Sequence, residues 1–277
     1  MCSGRLTAAI LAVLALAPAP APAAAAAITP EAAAEILARS DVATLAPESF
    51  RARLRITALS GRREPMDIEV WRSGGSKSLV RFLGPKEKGK YLLRLDGVVW
   101  FLAPGARKPV KMSPARRLRG SASLDDILGI RYGRDYVIEG ATATEEGGEP
   151  LVVLDLAARS ARAPYPRVRY FVRRATGRPV RAEYLLPSGK TSSVVEFLEW
   201  EKGSRPVVRR LVLTDRLRSG LRTEVTLLEM EERTIPDGLF DPGDPTERRK
   251  LEEGSAEAGD SFIPGSSGRP EAPRPRA

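Results

Sequence analysis

The feature that most constrains the fold of this chain is the alternation of apolar and charged residues in one segment after another. In FRARLRITA, residues 50–58, the apolar side chains of Phe50, Leu54 and Ile56 alternate with arginines. A period of two is typical of a β-strand that buries one face and exposes the other. The next such segment, MDIEV at residues 66–70, alternates with acids. We therefore expect the two strands to pair, with arginines of the first facing acids of the second.

A hairpin is predicted in YLLRLDGVVWFL, residues 91–102. Asp96 and Gly97 suit a type I′ turn, which requires positive φ at both central positions. The two-residue turn fixes the register, so the side chains divide between two faces. One face carries Leu93, Leu95, Val98, Trp100 and Leu102, and the other carries Leu92, Arg94, Val99 and Phe101.

Six more strands are predicted after the hairpin, with short connectors that contain Gly or Pro. They cover residues 151–156, 168–172, 180–186, 194–200, 207–214 and 222–229. Short connectors join antiparallel neighbours, because parallel strands need long crossovers. The sequence therefore predicts a mainly β protein, built as a large curved antiparallel sheet or an open barrel.

Two short helices are expected to interrupt the strands. Thr29, followed by Pro30 and an acid, predicts the start of a helix over the next residues, AAAEILARS. Ser123, Asp126 and Gly129 predict a second helix of one or two turns, with a cap at each end. This second helix offers the apolar side chains Leu124, Ile127 and Leu128.

The two ends of the chain differ in composition from its centre. Residues 1–27 have a basic start, an apolar run too short to span a bilayer, and an alanine-rich zone with expected cleavage near Ala25 or Ala27. We interpret them as a cleaved signal peptide. Residues 246–277 are rich in Pro, Gly, Ser and charge, which predicts a disordered tail. Residues 28–245 then form one domain.

The absence of histidine excludes many kinds of chemistry. The chain has no His and a single Cys, Cys2, within the predicted signal peptide. Histidine-based nucleophile systems, His-ligated zinc, an intramolecular disulfide and iron–sulfur clusters are therefore excluded. The adjacent acids Asp125 and Asp126 stand at a helix start, where carboxylates usually act as caps. We expect no catalytic residue, no metal and no cofactor.

The formal net charge of +10 raises the possibility of nucleic-acid binding. However, 36 of the 45 basic residues are arginines spread along alternate strand positions, and no nucleic-acid-binding motif is present. We expect no nucleic-acid partner. An anionic membrane, or an acidic face of an envelope protein, suits a basic exported surface better.

Several motifs resemble those of one family. They are FLGPKEKGKYLLR at 82–94, VWFLAP at 99–104, the segment 107–113, SLDDI at 123–127 and IPDGLFDP at 235–242. In this order and spacing they are similar to the outer-membrane lipoprotein-sorting proteins, relatives of the periplasmic carrier LolA. The resemblance covers most of residues 28–245.

This resemblance implies a periplasmic protein with an incomplete LolA-like β-barrel, whose apolar concave face is covered by short helices. It implies a non-enzymatic carrier that binds the acyl chains of lipoproteins or other lipids. The expected cavity wall consists of inward strand positions: Leu54, Ile56, Ile68, Val70, Val80, Phe82, Leu93, Leu95, Trp100 and Leu102. Leu124, Ile127 and Leu128 are the expected lid. Arg72 stands where the family's lid-holding arginine stands, and is the expected latch.

An alternative from the same resemblance is a periplasmic stress sensor that binds lipidated ligands and an anti-sigma factor. For a carrier, the partner is either an inner-membrane exporter of the resistance-nodulation-division type or an outer-membrane acceptor. The cargo is either a lipoprotein or a free lipid, and both remain open at this point. We expect a monomer.

Overall fold

The computed structural model describes residues 28–44, 47–61, 63–106, 108–113, 117–201, 207–218 and 220–259. The predicted signal peptide with its cleavage positions, and residues 260–277 of the predicted tail, lie outside the described residues. Arg62 and Arg107 lie outside them as well.

The described chain consists of fifteen strands and four α-helices. The strands are β1 Phe50–Ala58, β2 Met66–Ser73, β3 Lys77–Phe82, β4 Tyr91–Leu95, β5 Val98–Leu102, β6 Val110–Met112, β7 Arg117–Arg119, β8 Ala122–Ser123, β9 Tyr136–Glu146, β10 Glu149–Ala158, β11 Arg167–Arg173, β12 Pro179–Leu185, β13 Thr191–Glu201, β14 Val207–Asp215 and β15 Arg222–Glu232. The helices are α1 Pro30–Thr44, α2 Leu124–Leu128, α3 Tyr132–Asp135 and α4 Thr246–Gly259, with 3-10 turns at Pro85–Glu87 and Asp237–Phe240.

The predicted strands and the predicted hairpin register are confirmed. Leu95 pairs with Val98 and Leu93 with Trp100, across a turn in which Asp96 and Gly97 both have positive φ. The first two strands also pair as expected, with Arg55 opposite the acid Asp67. Bidentate hydrogen bonds of 2.8 Å join these two side chains. Local alternation and turn chemistry were therefore sufficient to place this half of the sheet.

The strand β9 was not predicted from the sequence. It forms one edge of the sheet, and most of its side chains are partly or fully exposed. Its centre contains Gly140 among alanines and threonines, so the alternation is weak. A strand that pairs on one side and buries little carries little hydrophobic signal.

Thirteen strands form one antiparallel sheet in the order β6-β5-β4-β3-β2-β1-β15-β14-β13-β12-β11-β10-β9. The two edge strands, β6 and β9, do not pair with each other within the described chain, so the sheet is not closed into a barrel. Register shifts interrupt several of the strand pairs, for example between Arg53 and Leu54 in β1 and between Asp155 and Leu156 in β10. Such bulges increase twist and bend a sheet. The curved, mainly β architecture expected from the sequence is confirmed.

The concave side of this sheet carries the main hydrophobic core. Helix α1 packs there through Ile36 and Leu37, and Thr29 caps its first turn by accepting a 3.3 Å hydrogen bond from the amide of Ala32. The connector between β6 and β9 contributes Leu124 and Leu128 of α2 to the same core. Both predicted helices are therefore confirmed, and both cover the concave face.

A second hydrophobic cluster lies on the opposite side of strands β2 to β5. It combines sheet residues such as Trp71, Leu79 and Leu93 with Leu239 and Phe240 of the 3-10 turn. The chain after β15 therefore returns across the outside of the sheet and covers part of it.

The prediction of a disordered tail from residue 246 is wrong for its first part. Residues Thr246–Gly259 form helix α4, and Leu251 packs against the outer cluster. The Tyr91 hydroxyl donates a 2.5 Å hydrogen bond to the Glu252 carboxylate, and burial raises the pKa of this tyrosine. The charged composition of this segment did not indicate the contact, because a short helix needs only one apolar turn to pack against an existing cluster.

A buried carboxylate links the outer cluster to the sheet. Glu69 of β2 is 1% exposed and accepts hydrogen bonds from Arg51 and Arg81. The Arg81 guanidinium also donates a 2.7 Å hydrogen bond to the carbonyl of Leu251 in α4 and lies over the Trp71 ring. Removal of the carboxylate would leave Arg81 buried without its main counter-charge.

We expect Glu69→Ala to lower the free energy of unfolding by about 3 kcal/mol, as for other buried ion pairs that lose one partner. Asp67→Ala is the matched control, because Asp67 lies two residues earlier in the same strand and its partner Arg55 is exposed. We expect the control to lose at most about 1 kcal/mol. Urea unfolding followed by circular dichroism measures both values. Equal losses in the two variants would show that the buried network adds no more than a surface pair.

Candidate functional site

The concave face contains an apolar cavity of about 130 Å³ between the sheet and helix α2. Most of its wall comes from the inner positions of strands that flank the β1–β15 pairing. These side chains are Phe50, Ala52, Leu54, Val70, Val195, Phe197, Leu211, Val225, Leu227 and Met230. The helix side is formed by Ile127 and Leu128, followed by Gly129 and Ile130. The result is a space with few polar groups, suited to an apolar guest.

Helix α2 is short and depends on its caps. The Ser123 amide donates a 2.9 Å hydrogen bond to the Asp126 carboxylate, and the Asp126 amide donates a 3.3 Å bond to the Ser123 hydroxyl. This reciprocal pair is the capping box that the sequence predicts. Gly129 ends the helix with φ of 79°, a conformation that a side chain would strain. Capping therefore positions the apolar side chains of the helix over the cavity.

Arg72 connects the sheet to this helix. Its side chain is 5% exposed and lies on the inner face of β2, opposite Phe50 of β1. Its Nη1 donates a 2.9 Å hydrogen bond to the carbonyl of Leu128, and its Nη2 donates a 3.4 Å bond to the carbonyl of Gly75. Burial lowers the pKa of Arg72 to about 10, so the guanidinium is still charged at neutral pH. A charged donor therefore holds the last carbonyl of α2.

A group of tyrosines supports the far wall of the cavity. Tyr132 and Tyr184 line it, and their hydroxyls lie 2.9 Å apart. Tyr165 stacks on Tyr184 with ring centroids 3.8 Å apart and donates a 2.8 Å hydrogen bond to the Asp126 carboxylate. Burial raises the pKa of Tyr132 and Tyr184, so both hydroxyls are neutral and one donates to the other. This group connects α3, β12, the β10–β11 loop and the cap of α2.

The predicted cavity wall is only partly correct in its placement. Leu54 and Val70 line the cavity, whereas Ile56, Ile68, Val80 and Phe82 lie on the same face but pack into the core beside it. Leu93, Leu95, Trp100 and Leu102 lie in the outer cluster, on the opposite side of the sheet. Their assignment to the cavity is wrong. The β4–β5 hairpin is apolar on both faces because the chain end covers its outer face, so alternation could not distinguish them.

The predicted lid residues come together over the concave face. Ile127 and Leu128 line the cavity, and Leu124 is buried in the core beside it. The predicted partner Arg72 contacts this helix, as described above. The placement of these four residues agrees with the sequence interpretation, and their role in ligand exchange is a proposal below.

Sequence reasoning missed the wall contributed by β13, β14 and β15, although it predicted these strands. The alternation in RTEVTLLEM places Val225, Leu227 and Met230 on one face across a register shift in the β1–β15 pairing, which is the signal that could have found them. The tyrosine group carries no local signal, because its members come from distant parts of the chain.

Among the described residues, no group of three or more Asp, Glu, Cys or His side chains is arranged to hold a metal ion. Within the same part of the chain, no helix combines the length and hydrophobicity needed to cross a bilayer.

Comparisons with known proteins agree with this architecture. A LolA superfamily protein from Nitrosomonas europaea superposes with a TM-score of 0.69 and 23% identity, over 78% of this chain and 98% of that chain. A putative outer membrane lipoprotein-sorting protein domain from Vibrio parahaemolyticus gives 0.64 and 14%, over 77% and 97%. A DUF1329 family protein from Desulfovibrio piger gives 0.61 and 19%, over 76% and 97%.

The sequence itself matches a family model over residues 74–244, and that family is described as an uncharacterized protein. No curated protein has a significantly similar sequence. The match covers more than half of the chain, from the β2–β3 turn to the segment before α4. The chain therefore belongs to this family of uncharacterized proteins, and its fold is the LolA-like open antiparallel sheet.

Proposed function

We propose that this protein is a periplasmic carrier that binds the acyl chains of lipoproteins or other lipids and takes part in their transport to the outer membrane. The observation that carries the proposal is the apolar cavity between the sheet and α2, with Arg72 bonded to the end of that helix. The fold shared with lipoprotein-sorting proteins supports the same role. Residues 1–27 would direct the chain to the periplasm.

Transfer of an acyl chain from water to an apolar cavity is favourable by about 0.8 kcal/mol for each buried CH₂ group. The cavity of about 130 Å³ is close to the size of an apolar cavity of about 150 Å³ that accommodates benzene. A long acyl chain needs more space than this. Loading therefore requires movement of α2, and we assign Leu124, Ile127 and Leu128 to the lid.

We infer that Arg72 acts as the latch of this lid. One charged hydrogen bond to the Leu128 carbonyl is strong enough to favour the closed state and weak enough to break on loading. The carboxylate Asp125 provides a second link, because Arg94 of β4 donates a 2.6 Å hydrogen bond to it. Both links join α2 to strands of the first half of the sheet.

The proposed role is binding without catalysis. The polar side chains at the cavity are Arg72, Asp126, Tyr132 and Tyr184, and hydrogen bonds hold each of them in place. An inner-membrane exporter of the resistance-nodulation-division type would supply the cargo, or an outer-membrane acceptor would receive it. We propose that the carrier acts as a monomer.

The direct test is the recovery of bound lipid. The chain should be expressed with export in a bacterial host, purified from the periplasm, extracted with organic solvent and analysed by mass spectrometry. We expect acyl-containing molecules in amounts comparable to the protein. Absence of lipid, together with no binding of a fluorescent fatty acid, would contradict the carrier role.

A matched pair of leucines tests which face binds the acyl chain. Leu54 lines the cavity, whereas Leu95 belongs to the outer cluster, and both are partly buried. We expect Leu54→Asp to weaken the binding of a fluorescent fatty acid at least about tenfold, because a buried charge disfavours an apolar guest. Leu95→Asp should change it less than about twofold. Circular dichroism checks that both variants fold, and loss of binding in Leu95→Asp alone would place the site on the other face.

The latch predicts a local change in dynamics. We expect Arg72→Gln to speed amide hydrogen exchange in residues 124–130 by about tenfold or more, because a charged hydrogen bond of about 1.5–3 kcal/mol is lost. Exchange in β10 and β11 should stay unchanged. Arg53→Gln is the control, since Arg53 pairs with Glu229 on the outer face. A uniform increase over the whole chain would show that Arg72 stabilises the fold and not the lid alone.

A further inference from the structure

A second cavity, of about 290 Å³, lies on the other side of the end of α2. Leu128, Gly129, Ile130 and Arg72 line both cavities, so these residues form a wall that the two spaces share. The remaining wall of the second cavity comes from two hairpin turns of the sheet, from α3 and from the β10–β11 loop. We call this space the polar cavity, because most of its accessible lining is polar.

Arginines are the most numerous charged side chains of the polar cavity. Arg72, Arg94, Arg134 and Arg162 line it, and the acids that line it are Asp96, Asp125 and Asp135. Arg131 approaches the same wall, since a Cβ atom on Gly75 would lie 3.0 Å from its Nη2. Counted with Arg131, the formal charges amount to five positive and three negative.

The ion pairs at the polar cavity leave Arg72 out. Arg94 pairs with Asp125 at 2.6 Å, and Arg134 pairs with Asp135 at 2.7 Å. Arg72 forms no ion pair with a described carboxylate, and its two hydrogen bonds go to neutral backbone carbonyls. Its Nε is buried and has no hydrogen-bond partner among the described residues. A buried cation without a counter-charge is a costly arrangement in a folded protein.

Electrostatics around Arg72 point the same way. Its pKa is lowered by burial first, and then by repulsion from Arg131, Arg94 and Arg134. Among the neighbouring charges that affect this pKa most, only that of Asp135 raises it. An anion placed between these guanidinium groups would relieve the repulsion.

We propose that the polar cavity binds the phosphate group of a lipid whose acyl chain occupies the apolar cavity. The planar guanidinium donors suit phosphate oxygens, and the shared wall places a charged headgroup next to an apolar chain as in one amphiphile. The inference rests on the proposed acyl-binding function and adds the class of cargo: a lipid with an anionic phosphate headgroup. A neutral headgroup lacks the phosphate, and the quaternary ammonium of a zwitterionic headgroup is repelled by the same arginines, so lipids of both kinds bind more weakly.

Competition against a bound fluorescent fatty acid tests the proposal with the full mature chain. Lysophosphatidylglycerol and lysophosphatidylcholine with the same myristoyl chain serve as competitors, below the concentrations at which they form micelles. We expect the anionic lysolipid to displace the probe at about fivefold lower concentration, which corresponds to about 1 kcal/mol. The difference should shrink with added salt, because the cavity is open to solvent.

Two double variants locate the effect. Arg134→Gln with Arg162→Gln removes two cavity charges, and we expect it to abolish the preference while lysophosphatidylcholine binds as before. Arg167→Gln with Arg169→Gln is the control. These arginines occupy exposed positions of β11, where they pair with Glu139 and Asp155, away from the polar cavity. We expect the control to keep the fivefold preference.

The outcomes separate this proposal from the carrier role. Equal displacement by both lysolipids in the unmodified chain overturns the headgroup site and leaves the acyl site intact. If neither lysolipid displaces the bound probe, the headgroup proposal fails and the acyl site stays; if the probe itself does not bind, both fail. Calorimetry with glycerol phosphate tests the alternative ligand, a phosphate ester that carries no acyl chain. Binding of glycerol phosphate as tight as that of the anionic lysolipid would overturn the lipid cargo in favour of a free phosphate ester.

Discussion

The structure depends on one topological constraint: the two edges of the sheet, β6 and β9, are joined in the chain by one connector, residues 113–135, which contains β7, β8, α2 and α3. In an open curved sheet that connector has to cross from one edge to the other. It crosses the concave face, where its apolar side chains find the main core. The short helix α2 is therefore both a chain connection and the cover of the cavity. A cover built in this way can shift only between its two attachment points.

Both attachment points are visible in the contacts of the connector. Before α2, the Ser121 amide donates a 2.8 Å hydrogen bond to the hydroxyl of Thr223 in β15. After α2, the amide of Tyr132 donates a 3.1 Å hydrogen bond to the carboxylate of Asp41 in α1. Burial raises the pKa of Asp41 to about 6, while the hydrogen bonds from the amides of Gly133 and Tyr132 lower it. Between the attachments the helix is held by Arg72, by Arg94, by the hydrogen bond from Tyr165 to Asp126 and by side-chain packing.

A feature of the fold or of the site could be predicted from the sequence where residues close together in the chain determine it. The pairing of Arg55 with Asp67, the turn at Asp96 and the capping box of α2 follow from neighbouring residues, and all are present in the structure. The face of the β4–β5 hairpin did not follow, because Leu93 and Leu92 are both buried, one under the chain end and the other in the main core. In a strand that is covered on both faces, apolar and polar side chains do not alternate.

The sequence did not predict the tyrosine wall or the helix α4, for a related reason. Tyr132, Tyr165 and Tyr184 meet only in the folded chain, and no spacing in the sequence connects them. Helix α4 docks through a few side chains, among them Leu251, while its composition resembles that of a solvated segment. In both cases the decisive contacts are made between elements, and composition describes only one of the two partners.

Arg72 shows how the two cavities and the lid are physically connected. A buried guanidinium that meets only backbone carbonyls costs stability, and an apolar residue of similar volume at such a site is often neutral or stabilising. The contacts of Arg72 in this structure do not by themselves explain the charge. The proposed function explains it by a second state, in which α2 has moved, its Leu128 carbonyl has left, and the freed guanidinium donors meet an anion. In the proposed carrier the same side chain holds the lid before loading and the headgroup afterwards, so that release of the lid and capture of the ligand are coupled through a single charge.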